Sequence, residues 1–243
     1  MDIEFYEEFP TKKNLEKLKL IKFPTKLFVA SNSFKKFKKT KKLIKKINKK
    51  IKIAYWPIIK NSYWISPFSN TQDLKELFIE LNKWNNPLLI DLELPLKKSF
   101  ILKNILYYFK NKKIIKEFLI NNKKRITIAQ FPSSLISPFL KILGLDYKVD
   151  IEKSLMWYSS MNSHFMNKNI KKHLLKLKNK DKYSISLGTI AKGILGNEPI
   201  LKSKNLKNDL EFIKKLGFKK IIIFRVGGLN KKYINIINQF TNK

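Results

Sequence analysis

The chain has no cysteine, two histidines, seven glycines, and only 18 acidic residues against 52 lysines and arginines. Without cysteine there is no disulfide framework, no thiolate metal site and no cysteine nucleophile. His164 and His173 are too few for a typical three-ligand zinc centre, and both fall in a helical stretch, so no metal is expected. No run reaches the roughly 18 apolar residues that a membrane span needs. The chain opens with Asp2, Glu4, Glu7 and Glu8 instead of a basic patch and an apolar stretch. That is unlike a signal peptide and makes a cytoplasmic location the default expectation. The G-x-x-x-x-G-K-[ST] phosphate loop, the G-x-G-x-x-G dinucleotide fingerprint and the G-x-S-x-G nucleophile elbow are all missing. No cofactor is implied.

Apolar side chains are plentiful: 44% of residues are hydrophobic and 13% aromatic, enough to offset ordering entropy by burial. The 243 residues contain no Gly/Ser linker, short repeat or break in composition. They read as one domain, 1–243, of ordinary barrel size. The formal charge of +34 has two readings. One is a partner rich in phosphate, either nucleic acid or an anionic membrane surface. The other is a biased genome, since Lys, Asn, Ile and Phe can be encoded almost wholly by A and T. Under either, the field attracts polyanions non-specifically. Oligomeric state leaves no mark on the sequence.

Short β-rich runs recur with helical stretches between them: 3–6, 26–31, 51–57, 87–94, 125–131, 154–160, 183–189 and 220–226. Eight such units predict a (β/α)8 TIM-type barrel, with an open doubly wound parallel sheet as the alternative. Between them, 33–50 places Phe34, Phe37, Ile44 and Ile47 at helical spacing among ten lysines, one stripe to bury and one face to hydrate. Stretch 71–84 starts with Thr71 as its cap and turns Leu74, Leu77, Phe78 and Leu81 inward. Stretch 203–216 ends before Gly217, suited to the left-handed C′ position.

In such a barrel, function collects at the C-terminal ends of the strands. Along Leu88-Leu89-Ile90-Asp91-Leu92-Glu93-Leu94, the even positions form an apolar face, which leaves Asp91 and Glu93 on the other, pointing inward. Their backbones are about 7 Å apart, close enough to share a proton and for repulsion to raise one pKa. They are the expected catalytic pair, Glu93 as acid and Asp91 as partner; a structural ion-pair network is the competing role. The same test picks Glu4, Tyr6, Trp56, Trp64, Gln130, Tyr158 and Arg225 as substrate-binding candidates. Aromatics around two carboxylates suit a carbohydrate, whose apolar ring faces stack on flat side chains. A second constellation is Gly188, Gly227 and Gly228, after strands seven and eight, the usual phosphate-binding place of this fold. Asn197-Glu198-Pro199 looks like the Asn-Glu-Pro of many barrel glycosidases, but there it ends the fourth strand, and no role is carried over.

Two segments resemble family 18 glycoside hydrolases. Asp91-Leu92-Glu93 is similar to the end of their Asp-x-Asp-x-Glu motif, and Met156-Trp157-Tyr158 to the start of their Met-x-Tyr-Asp motif. The resemblance implies Glu93 as general acid, Asp91 orienting a substrate N-acetyl group that acts as nucleophile, and Tyr158 hydrogen-bonding that group. Leu89 and Ser159 stand where the family has aspartates, and the glycine-rich third-strand motif and the tryptophan ending the eighth strand are missing. Three functions follow as expectations. The first is a barrel enzyme acting on a glycan by carboxylate acid/base chemistry. The second is a sugar-phosphate barrel enzyme, and the third a non-catalytic basic protein that binds nucleic acid.

Overall fold

Eight parallel strands close into a barrel in sequence order, the last pairing with the first. The structure, a computed structural model, describes residues 1–60, 62–132 and 137–241. The strands are β1 Asp2–Glu7, β2 Thr25–Ser31, β3 Ile51–Pro57, β4 Leu88–Asp91, β5 Ile126–Gln130, β6 Glu152–Met156, β7 Tyr183–Gly188 and β8 Lys220–Phe224. The helices between and after them are α1 Lys12–Glu16, α2 Phe34–Ile47, α3 Thr71–Asn82, α4 Lys98–Asn104, α5 Tyr108–Asn121, α6 Ser137–Ile142, α7 His164–Lys176, α8 Ser203–Lys215 and α9 Lys231–Asn238. The expected (β/α)8 topology is therefore the one observed, and the open sheet is not. No helix among the described residues is long and apolar enough to cross a membrane.

Strand alternation sorts the core into two bodies. Leu88, Ile90 and Leu92 join Ile126, Ile128, Ile221 and Ile223 in the layer between strands and helices. Tyr6, Phe28, Trp56, Leu89, Ala129, Ile222 and Phe224 fill the barrel itself. α2 shows how a helix of lysines can be stable here: Ser33 caps it, its side chain accepting from the Lys36 N–H. Phe37 is buried and stacks on Tyr55, ring centres 4.4 Å apart, and Ile44 is buried, while Phe34 and Ile47 are half-buried at the margin. Most of the lysines stay in water.

Two expectations about elements change. α3 is capped by Asn70, whose side chain accepts from the backbone N–H groups of Gln72 and Asp73. Thr71 is instead inside the helix, and its hydroxyl bonds the Asn111 side chain. β6 begins and ends earlier than its apolar run suggests. Trp157 N–H turns to the Ser186 carbonyl, so Tyr158 and Ser160 lie in the loop beyond the strand.

The seam between β3 and β4 is the least paired, with Tyr55 opposite Leu88 alone. The loop after β3 extends it: Ile65 bridges to Leu92, its N–H donating to the Asp91 carbonyl at 3.2 Å. That bridge lays Tyr63 and Trp64 over the end of β4, and this positions the site.

Candidate active site

At the C-terminal end of the barrel the interior opens into a cavity of about 180 Å³. That is the liquid volume of about six waters, or one small ring of a ligand. Its wall is largely apolar, with Tyr6, Trp56, Trp64, Phe131, Tyr158 and Phe224 as its aromatic members, and its polar groups include four carboxylates: Glu8, Asp91, Glu93 and Glu198. Its depth is set by Tyr6, whose hydroxyl donates to Ser154 Oγ at 2.9 Å and accepts from Ser186 Oγ at 3.2 Å. These three polar groups satisfy one another across the barrel and close the floor.

Asp91 is the last residue of β4, only 5% exposed, and its Oδ1 has no hydrogen-bond partner in the protein. Burial above all, then the charges of Glu93 and Glu8, push its carboxyl well above the usual range, against a smaller lowering by a hydrogen bond from Trp64. Glu93 lies just past the strand and is half-buried, part of its surface facing the cavity. Burial, with the charge of Glu8 behind it, raises it to about 7. Because the two acids share one low-dielectric space, ionising one opposes ionising the other, and the pair titrates as a unit.

Glu8 and Glu198 were not among the residues picked from the sequence. Glu8 follows β1 and is buried; its Oε1 accepts from the Tyr63 hydroxyl and its Oε2 has no protein partner. Burial first, then the charges of Glu198 and Glu7, raise it to about 7 against lowering by Tyr63 and Arg225. Glu198 accepts from the Leu195 N–H at 3.0 Å through Oε1 and leaves Oε2 buried without a partner. Gly193 brings the two acids together. A Cβ there would stand 2.8 Å from Glu198 Oε1 and 2.9 Å from Glu8 Oε2, so a larger residue would require the carboxylate ends to move. The signal for Glu8 was present: it shares the period-two face of Glu4 and Tyr6, one step nearer the open end. Glu198 carried the Asn-Glu-Pro signal in an unexpected loop. Tyr63, with φ of 69°, holds a backbone shape that costs a non-glycine residue of order 1 kcal/mol, and that shape accompanies its bond to Glu8.

Of the candidates read from the sequence, Asp91, Glu93, Tyr6, Trp56, Trp64 and Tyr158 meet in this cavity. Glu4, Gln130 and Arg225 do not. Glu4 faces inward but at the opposite end of the barrel, where it pairs with Lys26 at 2.8 Å. Gln130 has the parity of Ile126 and Ile128, which face the helices, and Ala129 takes the inward place. Arg225 has the parity of Ile221 and Ile223 and is fully engaged: it donates to Glu7 Oε1 at 3.0 Å and to the Lys192 carbonyl from Nε and Nη2, and lies over the Phe9 ring.

The expected phosphate cradle is filled by the protein's own atoms. A Cβ on Gly188 would stand 2.2 Å from the Phe224 carbonyl oxygen, and one on Gly228 would stand 1.9 Å from that of Ile190. These glycines serve close backbone contact. The Gly227 N–H, which should greet a phosphate, donates to Glu7 Oε2 at 2.6 Å. A buried carboxylate occupies the anion place after β8. No group of three or more His, Asp or Glu among the described residues is arranged to hold a metal ion.

The fold and site together define a (β/α)8 barrel with an acidic, aromatic-walled cavity at its C-terminal end. No protein-family model matches the chain, and no curated protein matches its sequence. Solved structures do resemble it. The spore cortex-lytic enzyme SleL of Bacillus megaterium superposes with a TM-score of 0.59 at 10% identity, over 99% of this chain and 74% of that one. A chitinase of Chromobacterium violaceum gives 0.57 at 9% identity over 98% of each chain. A xylose isomerase domain protein of Planctomyces limnophilus gives 0.51 at 8% identity, over 98% of this chain and 94% of that one. At such identities the likeness establishes the barrel fold, and function has to be argued from the site.

Proposed function

We propose that this protein cleaves glycosidic bonds in a glycan, with Glu93 as general acid and Asp91 as its partner. The observation that carries the reading is the placement of this pair. Both acids face an aromatic-walled cavity at the catalytic end of the barrel, and Glu93 is held protonated up to about pH 7 by burial and by Glu8. A general acid works best when its pKa lies near the working pH. Glu93 gives its proton to the leaving glycosidic oxygen as the bond to the anomeric carbon breaks. Following the family 18 resemblance, the carbonyl oxygen of the substrate's own N-acetyl group closes on that carbon, and Asp91 orients the group. Water then opens the ring, giving its proton to Glu93 and restoring the acid. Leu89 stands where the resemblance expects a further carboxylate, so burial, then Glu93, Glu8 and the Trp64 hydrogen bond set the state of Asp91. The chitinase and cortex-lytic enzyme among the structural neighbours add support from the fold.

The test is release of fluorophore from umbelliferyl N-acetylglucosamine oligosaccharides across pH 4–9. Glu93→Gln should keep fold and binding while turnover falls on the order of 10²–10⁴-fold. Asp91→Asn should lose activity and displace the pH profile. Equal turnover by the wild type and both variants removes the pair from the mechanism.

A further inference from the structure

The cavity has a charge opposite to that of the molecule around it. The chain carries 52 lysines and arginines, yet among the described residues none lines this space, which collects four of the 18 acids. The nearby cation Arg225 is spent on Glu7 and the Lys192 carbonyl. Three carboxylate oxygens, Glu8 Oε2, Glu198 Oε2 and Asp91 Oδ1, are buried on the cavity's lining residues with no partner in the protein. A buried acid without a donor keeps its proton, as Glu8 does to about 7; once ionised it is an acceptor only and needs a donor and a compensating charge. Glu8 and Glu198 converge on Gly193, where a Cβ would stand 2.9 Å from Glu8 Oε2 and 2.8 Å from Glu198 Oε1. A pair of acids pressed together with open lone pairs, beside Trp56, Tyr6 and Phe224, has the chemistry of an ammonium site. The ammonium brings three N–H donors and a compensating charge, and aromatic faces attract it further.

We infer that the Glu8–Glu198 side of the cavity binds a protonated amine of the ligand, so that the glycan acted on carries at least one free amino group. This deepens the glycosidase reading and rests on it for the sugar, while the amine preference rests on Glu8, Glu198 and Gly193. A sugar hydroxyl supplies one donor and no charge, and an N-acetylated nitrogen supplies one donor and adds bulk; neither satisfies the two open oxygens as an ammonium does.

Calorimetric titration in the Glu93→Gln background, where turnover should fall on the order of 10²–10⁴-fold, tests this with two probes: a glucosamine trisaccharide and its fully N-acetylated counterpart. A charge-assisted contact is expected to give the free-amine form about 10-fold or more the affinity of the acetylated one at pH 7. Glu8→Gln and Glu198→Gln, each added to that background, should bring the two affinities to within about threefold, while binding of the acetylated form shows that the site is still folded. Equal affinity for both sugars before those changes, or a preference that survives both, overturns the inference. Hydrolysis is scored separately with wild-type protein. Turnover of acetylated glycans with no amine preference leaves the glycosidase reading standing and sinks this one. Amine preference with no hydrolysis of any glycan does the reverse.

Discussion

Glu8 shows how one side chain couples the site to stability. In the unfolded chain it releases its proton near its ordinary 4.5, while in the fold burial keeps the proton on to about 7. Folded protein therefore binds more protons than unfolded across that window, and stability falls as pH rises through it and levels off above. The full window corresponds to about 3 kcal/mol at most. Glu8→Gln, which keeps an acceptor for Tyr63 and removes the charge, should match the wild type near pH 4 and exceed it by about 1–3 kcal/mol at pH 8. Urea unfolding at pH 4, 6 and 8 measures the difference, and a gap that does not widen with pH would refute it. The same scale explains Arg225. Glu7 is wholly buried and satisfied by Arg225, by the N–H groups of Phe9 and Gly227, and by Asn14. Arg225→Met should cost about 3–5 kcal/mol, because it strands a buried charge. Adding Glu7→Gln should recover part of that loss, and if it recovers none the pair is not the cause.

At the scale of elements, short interactions at the ends decide where structure starts. Asn70 and Thr71 are both good capping residues, and local preference ranks them closely. The choice went to Asn70, which spans two helix N–H groups, while Thr71 was drawn to the buried Asn111 that also holds the carbonyls of Pro67 and Ser69. Asn70→Ala should lower stability by about 1 kcal/mol, read as a shifted urea midpoint with unchanged slope. A loss below a few tenths would return the cap to Thr71. Stretch 154–160 misleads in a similar way. Its apolar and aromatic residues suit a strand, yet the ladder with β7 stops at Met156 opposite Ser186, and Trp157 spends its indole N–H on Asn167 of α7. Tyr158 reaches the cavity from a loop, a route that alternation does not foresee.

The whole molecule sets a cationic exterior against an acidic interior. With a net charge of +34, it should be retained by DNA or heparin at low salt and released steeply as salt rises. Asp91→Asn and Glu93→Gln should leave that retention unchanged, since neither acid is on the outer surface. Elution of wild type and variants from heparin over a salt gradient checks this. A large shift from either variant would tie polyanion binding to the cavity and revive the nucleic-acid reading.

The eightfold strand–helix alternation and the period-two pattern of Leu88 to Leu94 are local properties, and they pointed to the barrel over an open sheet and to the inward face of Asp91, while closure itself is the pairing of β8 with β1. Parity also separates Ala129 from Gln130 and Phe224 from Arg225, once strand limits are known. Depth along the barrel is another matter. Glu4 and Glu8 share a face, yet one closes the far end beside Lys26 and the other reaches the cavity. That difference depends on where neighbouring strands begin and end. The meeting of Glu8 with Glu198 depends on closure of β8 onto β1 and on the single missing side chain of Gly193. Contacts between residues about 190 positions apart in the chain have no period to read. Packing and hydrogen-bond satisfaction assign them, and only the closed barrel brings those groups within reach of each other.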